Sequence, residues 1–103
     1  MKSIRLTAKE IDAIKMAFVA RFQPGDKLWI FGSRVYAEKR GGDIDLYIET
    51  TLSDADTVIK ARFNFLADIK IAIGDQKIDV VINRGSMILP IYEVAQQEGI
   101  QLV

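Results

Sequence analysis

Apolar residues recur along this chain in two rhythms, and the rhythm changes wherever a turn signal interrupts it. Ile11, Ile14, Phe18 and Phe22 stand three or four positions apart, with Ala17 and Val19 beside them, the spacing of one helix face. Thr7-Ala8-Lys9-Glu10 ahead of them fits a capping box, in which the threonine caps the helix and the glutamate bonds back. Pro24-Gly25 stops that helix. Leu28, Trp29, Ile30 and Phe31 then form an unbroken apolar run, a buried strand whose two aromatics belong to the core. A short helix is expected from Ser33, with that serine as its N-cap, and Glu38-Lys39-Arg40-Gly41-Gly42 reads as a mobile loop.

A strand is expected over about Asp43 to Ile48. Ser53-Asp54-Ala55-Asp56 opens a second long helix, with acidic residues at the positive end of its dipole and Val58, Ile59, Phe63, Leu66 and Ile69 as its apolar stripe. After the Gly74-Asp75 turn, Lys77 to Ile82 is a β-branched run and hence a third strand. A third helix falls between Ser86 and Glu98, with Pro90 suited to its first turn and Gly99 to its C-cap; Ile100 to Val103 make a last short strand. The expected fold is α/β (α+β): a small mixed sheet with helices mainly on one face. The short link between the first two strands favours antiparallel pairing, and the open face would carry the polar strand positions.

Those polar positions are where the chemistry lies. Side chains alternate across a strand, so Asp43 and Asp45 share one face while Ile44, Leu46 and Ile48 take the other. In the third strand Ile78, Val80 and Ile82 share a face, and Asp79 points away from them with Val81. If the two strands are neighbours, three carboxylates meet. Clustered carboxylates do not all ionise cheaply, and a divalent cation among them removes that penalty. Hard cations such as Mg2+ favour carboxylate oxygens together with substrate phosphates, and two metals spanned by such a set clamp the attacking and leaving oxygens of an in-line displacement. Gly32-Ser33, just before the first aspartate pair, offers backbone N–H groups and a hydroxyl to phosphate oxygens. Arg34 follows as a further phosphate contact, against the competing reading of a solvated surface arginine. Two aspartates in a strand go against β-propensity, a departure expected at functional sites.

Gly32-Ser33, Asp43-x-Asp45 and the later Asp79 resemble the DNA polymerase β-type nucleotidyltransferase superfamily, and more narrowly its minimal, single-domain nucleotidyltransferases. The resemblance runs from about Lys27 to Ile82. It implies a polymerase β-like nucleotidyltransferase fold, ATP or another nucleoside triphosphate as substrate, and two Mg2+ ions. Asp43, Asp45 and Asp79 would be the catalytic metal ligands, with Asp79 also orienting the attacking hydroxyl or acting as base. Gly32, Ser33 and Arg34 would hold the phosphates. The resemblance further implies AMP transfer to a hydroxyl acceptor, in some relatives a tyrosine of a small helical HEPN-family partner, within a two-component toxin–antitoxin-like module. Tyr36 and Ala37 stand where many members carry arginine and glycine. Lys39, Arg40 and Lys77 fit a solvated surface and are left out of the site.

Composition narrows the alternatives. At 103 residues, half of them hydrophobic, one domain spanning 1–103 is expected, with enough apolar surface for one core. Fourteen basic residues balance fourteen acidic ones, so there is no bulk attraction to nucleic acid, while a neutral surface favours self-association or a partner. With no cysteine and no histidine, disulfides, thiolate sites, imidazole bases and His-ligated zinc are excluded, and a metal must be held by oxygen. The first residues lack the apolar run of a secretory signal, and no apolar run has the length of a membrane span, so a cytoplasmic location is expected. The competing reading of a different class is a module that binds nucleotide or partner without turnover.

Overall fold

The computed structural model describes residues 3–36, 38 and 42–103; Ala37 and, from the expected loop, Lys39, Arg40 and Gly41 lie outside the described residues. Helix α1 (Ala8–Arg21) begins at the expected capping box. Glu10 N–H donates to the Thr7 hydroxyl at 3.1 Å and Thr7 N–H to the Glu10 carboxylate at 2.9 Å. Strand β1 (Lys27–Phe31) runs into a single 3-10 turn, Gly32–Val35. Strand β2 (Ile44–Glu49) returns antiparallel to β1. Helix α2 (Ala55–Ile73) is capped by Asp54, which accepts from Thr57 N–H at 3.0 Å. It crosses over to strand β3 (Ile78–Asn83), which lies parallel to β2. Helix α3 (Pro90–Glu98) and strand β4 (Ile100–Gln101) follow, and β4 pairs antiparallel with β1. The sheet order is β3-β2-β1-β4. The expected small mixed sheet is therefore present.

Alternation in the strands sorts two cores onto its two faces. Leu28, Ile30, Ile44, Leu46 and Ile48 point to α1 and α2, where they meet Ile14, Phe18, Phe22, Ala61, Phe65 and Ile69, all buried. Burying each such large side chain is worth about 1.5–3 kcal/mol, so this layer carries most of the stability. Trp29, Phe31 and Tyr47 point the other way and pack with Ala95 and Tyr92 of α3.

Two expectations need correction. The core side of α2 is Val58, Ala61, Phe65 and Ile69, whereas Ile59 and Phe63 are 64% and 70% exposed. This helix is apolar on more than one side, so periodicity alone does not choose its face. The 3-10 turn starts at Gly32, and its cap position is Phe31, without a side-chain bond; Ser33 is inside the turn and does not cap it. Helices lie mainly on one face as expected, α1 and α2, while α3 covers the three large aromatics on the other. No helix among the described residues is long and apolar enough to cross a membrane.

Candidate active site

Strand register decides which carboxylates meet. β2 and β3 pair with Asp45 opposite Asp79, and neighbouring strands lie about 4.8 Å apart. The same register places Leu46 opposite Val80 and Tyr47 opposite Val81, so both aspartates emerge on the face away from α1 and α2. Asp43 sits one residue before β2, at the mouth of the strand; the neighbouring Ile44 N–H donates to the Lys77 carbonyl at 3.0 Å. The Asp43 carboxylate pairs with Lys77 Nζ at 3.3 Å. Lys77, assigned to plain surface from the sequence, thus contacts the cluster.

Asp45 is half-buried and Asp79 exposed. The Asp45 carboxyl is held above the ordinary carboxylate range, first by burial and then by the negative charges of Asp79 and Asp43. Asp45 therefore feels the charge of both other carboxylates. Among the described residues no three carboxylates stand close enough together to hold a metal ion directly. The donor chemistry nonetheless suits a hard divalent cation. The set is all oxygen, its two central members are register partners, and its central carboxyl is destabilised as an anion by its neighbours.

The turn approaches the same carboxylate. β1 and β2 pair with Phe31 opposite Asp45, which brings Gly32 alongside it. Gly32 has φ +74°, and a Cβ there would run into the Asp45 Oδ2 atom. Only glycine satisfies both conditions without strain. Gly42 makes a matching close approach: its φ is +86°, and a Cβ would strike the Ser33 hydroxyl. The turn is thus packed at two points: Gly32 against Asp45, whose register partner is Asp79, and Ser33 against Gly42, the neighbour of Asp43.

Arg34 is placed differently from a free phosphate clamp. Its Nη1 donates to the Arg5 carbonyl at 2.9 Å and its Nε to the Gly42 carbonyl at 3.3 Å. It ties the turn to the chain on either side, and any phosphate contact must come from its remaining hydrogens. Arg5 is a residue that sequence reasoning missed. Its Nη2 donates to the Ser33 carbonyl at 2.8 Å, its Nε to the Tyr36 carbonyl at 2.9 Å, and its backbone N–H to the Arg34 carbonyl at 2.7 Å. A single guanidinium therefore braces the Gly-Ser turn from outside. These partners lie about thirty positions away in sequence and leave no local signature.

No protein-family model matches this chain, and none of the curated proteins matches it.

Proposed function

We propose that this chain is a Mg2+-dependent nucleotidyltransferase that passes the AMP of ATP to a hydroxyl acceptor. One observation carries the reading: Asp45 stands opposite Asp79 on paired strands and directly against Gly32, with its anion destabilised by burial and then by both neighbouring aspartates. Asp43, Asp45 and Asp79 would hold the metal. When bound, Mg2+ neutralises these carboxylates and stabilises charge on the phosphate oxygens. The backbone N–H groups of Gly32 and Ser33 and the serine hydroxyl hold the β- and γ-phosphates. The acceptor oxygen attacks the α-phosphorus, the bond from that phosphorus to the β-phosphate oxygen breaks, and pyrophosphate leaves. Asp79, the most exposed of the three, takes the acceptor proton. Catalysis is then largely positioning and charge neutralisation, as in phosphoryl transfer generally.

The acceptor in this reading is a hydroxyl of a small helical HEPN-family partner, as in two-component toxin–antitoxin-like modules. Apolar side chains exposed on α1 and α2, including Met16, Val19 and Phe63, are compatible with a protein partner.

A second reading rests on the Asp43–Lys77 pair and on the lack of a ready-made metal cage among the described residues. In that reading the chain holds nucleotide without turnover. Transfer from α-phosphate-labelled ATP, assayed with co-purifying proteins present, separates the two. Label on protein that disappears in Asp45→Asn supports transfer. Pyrophosphate-free ATP binding with no label on any protein supports the binding module.

A further inference from the structure

A depression of about 690 Å3 lies on the carboxylate face of the sheet, toward the far ends of β2 and β3 and under α3. That volume is in the range of small-molecule sites. Its walls include Tyr47, Glu49, Asn83, Leu89, Tyr92 and Gln96. Both hydroxyls and one N–H of each amide are engaged locally. The Tyr47 hydroxyl donates to Glu49 Oε2 at 2.9 Å, and Gln96 Nε2 donates to the same oxygen at 2.5 Å. Asn83 Nδ2 donates to the Tyr47 oxygen at 3.1 Å, and the Tyr92 hydroxyl donates to the Ile82 carbonyl at 3.3 Å.

Apart from the second N–H of each amide, what the wall offers a ligand is acceptor capacity and negative charge. Among the described residues, the second oxygen of Glu49 and the amide oxygen of Gln96 carry no bond, and no lysine or arginine lines the depression. Two donors, the Tyr47 hydroxyl and Gln96 Nε2, meet on one oxygen of Glu49, and Asn83 in turn holds the Tyr47 hydroxyl, so the carboxylate is preset rather than mobile. The rest of the wall is partly apolar, with Ile88, Leu89 and Pro90 at the start of α3 and the ring of Tyr92, and partly polar, with Glu93 as a second carboxylate that accepts from Gln97 Nε2 at 2.9 Å. A ligand that fits must bring N–H donors, positive charge and an apolar stem.

We infer that this depression binds an organic cation, a guanidinium or ammonium group on an aliphatic stem, with Glu49 accepting its N–H donors and Tyr92 and Leu89 covering the stem. The charge and the fork of N–H groups match a carboxylate, and the aromatic ring adds a cation–π contact. The site is separate from the Asp45–Asp79 pair and does not depend on any transfer reaction. A cation of this kind comes either as a free diamine-like molecule or as the arginine side chain of a polypeptide.

The test is a titration of the 15N-labelled chain followed by amide and side-chain NH2 resonances, with agmatine, Nα-acetylarginine methylamide and the uncharged N-butylurea as probes. Saturable shifts centred on Glu49, Asn83, Tyr92 and Gln96 are expected with both cations, with binding at least tenfold weaker for N-butylurea and for agmatine on Glu49→Gln. Tighter binding of the capped arginine assigns a polypeptide side chain, and tighter binding of agmatine assigns a free cation; either order supports the site. The inference is overturned by any of three results: no saturable shift, equal shifts with N-butylurea, or cation shifts confined to Asp43, Asp45 and Asp79. If Glu49→Gln does not fold, the charged-against-uncharged comparison on the unaltered chain decides alone.

Discussion

Replacing Gly32 with alanine tests whether the turn and the Asp45 carboxylate form one mechanical unit. Gly32 sits at φ +74°, where a side chain costs roughly 1–2 kcal/mol. The new Cβ would also collide with Asp45 Oδ2 and lie 3.1 Å from its Cγ and 3.3 Å from its Cβ. Backbone on both sides of Gly32 is held, by β1 pairing before it and by the Arg5 bonds after it, so the carboxylate must move instead. Turning a side chain off its staggered well costs about 0.5–1.5 kcal/mol. The two terms sum to about 1.5–3.5 kcal/mol, a large share of the roughly 5–15 kcal/mol that holds a domain together. With Asp45→Ala as background, most of the second term vanishes and the first remains. Urea unfolding of the four proteins, followed by circular dichroism, should therefore show a coupling of about 0.5–1.5 kcal/mol between the two positions. Additivity to within about 0.3 kcal/mol would refute the reasoning, because independent sites behave that way.

Two further outcomes follow from the same geometry. Arg5→Ala should cost about 1–3 kcal/mol in urea unfolding, since two charged hydrogen bonds to the Ser33 and Tyr36 carbonyls are lost, and Arg5→Lys should recover less than half of it because an ammonium lacks the planar fork. The Tyr47 phenol is pushed up to about 12 by burial, so its stabilising contribution is whole below pH 10 and falls as pH rises from about 10 to 12; ultraviolet titration should place one late phenolate there, and Tyr47→Phe should remove that part of the alkaline loss of stability.

Much of the candidate site's geometry was legible because it lies on strands. Alternation in Asp43-Ile44-Asp45-Leu46 and in Ile78-Asp79-Val80 assigns faces without knowledge of the fold, and the crossover through a long helix makes a parallel neighbour natural. The coincidence of Asp45 with Asp79 needed only that pairing. Helices were less legible. In α2, apolar residues occupy more than one side, so Ile59 and Phe63 looked like core while Ala61 and Phe65 fill that place. The side of the sheet taken by α3 depended on Trp29, Phe31 and Tyr47 needing cover, a tertiary demand that α3's own nine residues do not announce.

Long-range polar contacts were not legible at all. Asp26 looks like an ordinary turn residue after Pro24-Gly25, yet it is buried and accepts from Gln23 N–H, from the Thr50 hydroxyl at 2.5 Å, and from Thr51 N–H at 3.0 Å. Arg5 and the donors around Glu49 belong to the same class. Each depends on partners brought together only by the completed sheet.

The central claim, that the Asp43–Asp45–Asp79 cluster and the Gly32-Ser33 turn form a metal–nucleotide site, is tested most directly by Mn2+ titration of the 15N-labelled chain with and without ATP. The account predicts paramagnetic broadening centred on residues 43–46 and 78–80, extended to Gly32 and Ser33 once ATP is added, and lost in Asp45→Asn. Broadening that is absent, or that spreads over exposed acidic residues regardless of ATP and of Asp45, would contradict it.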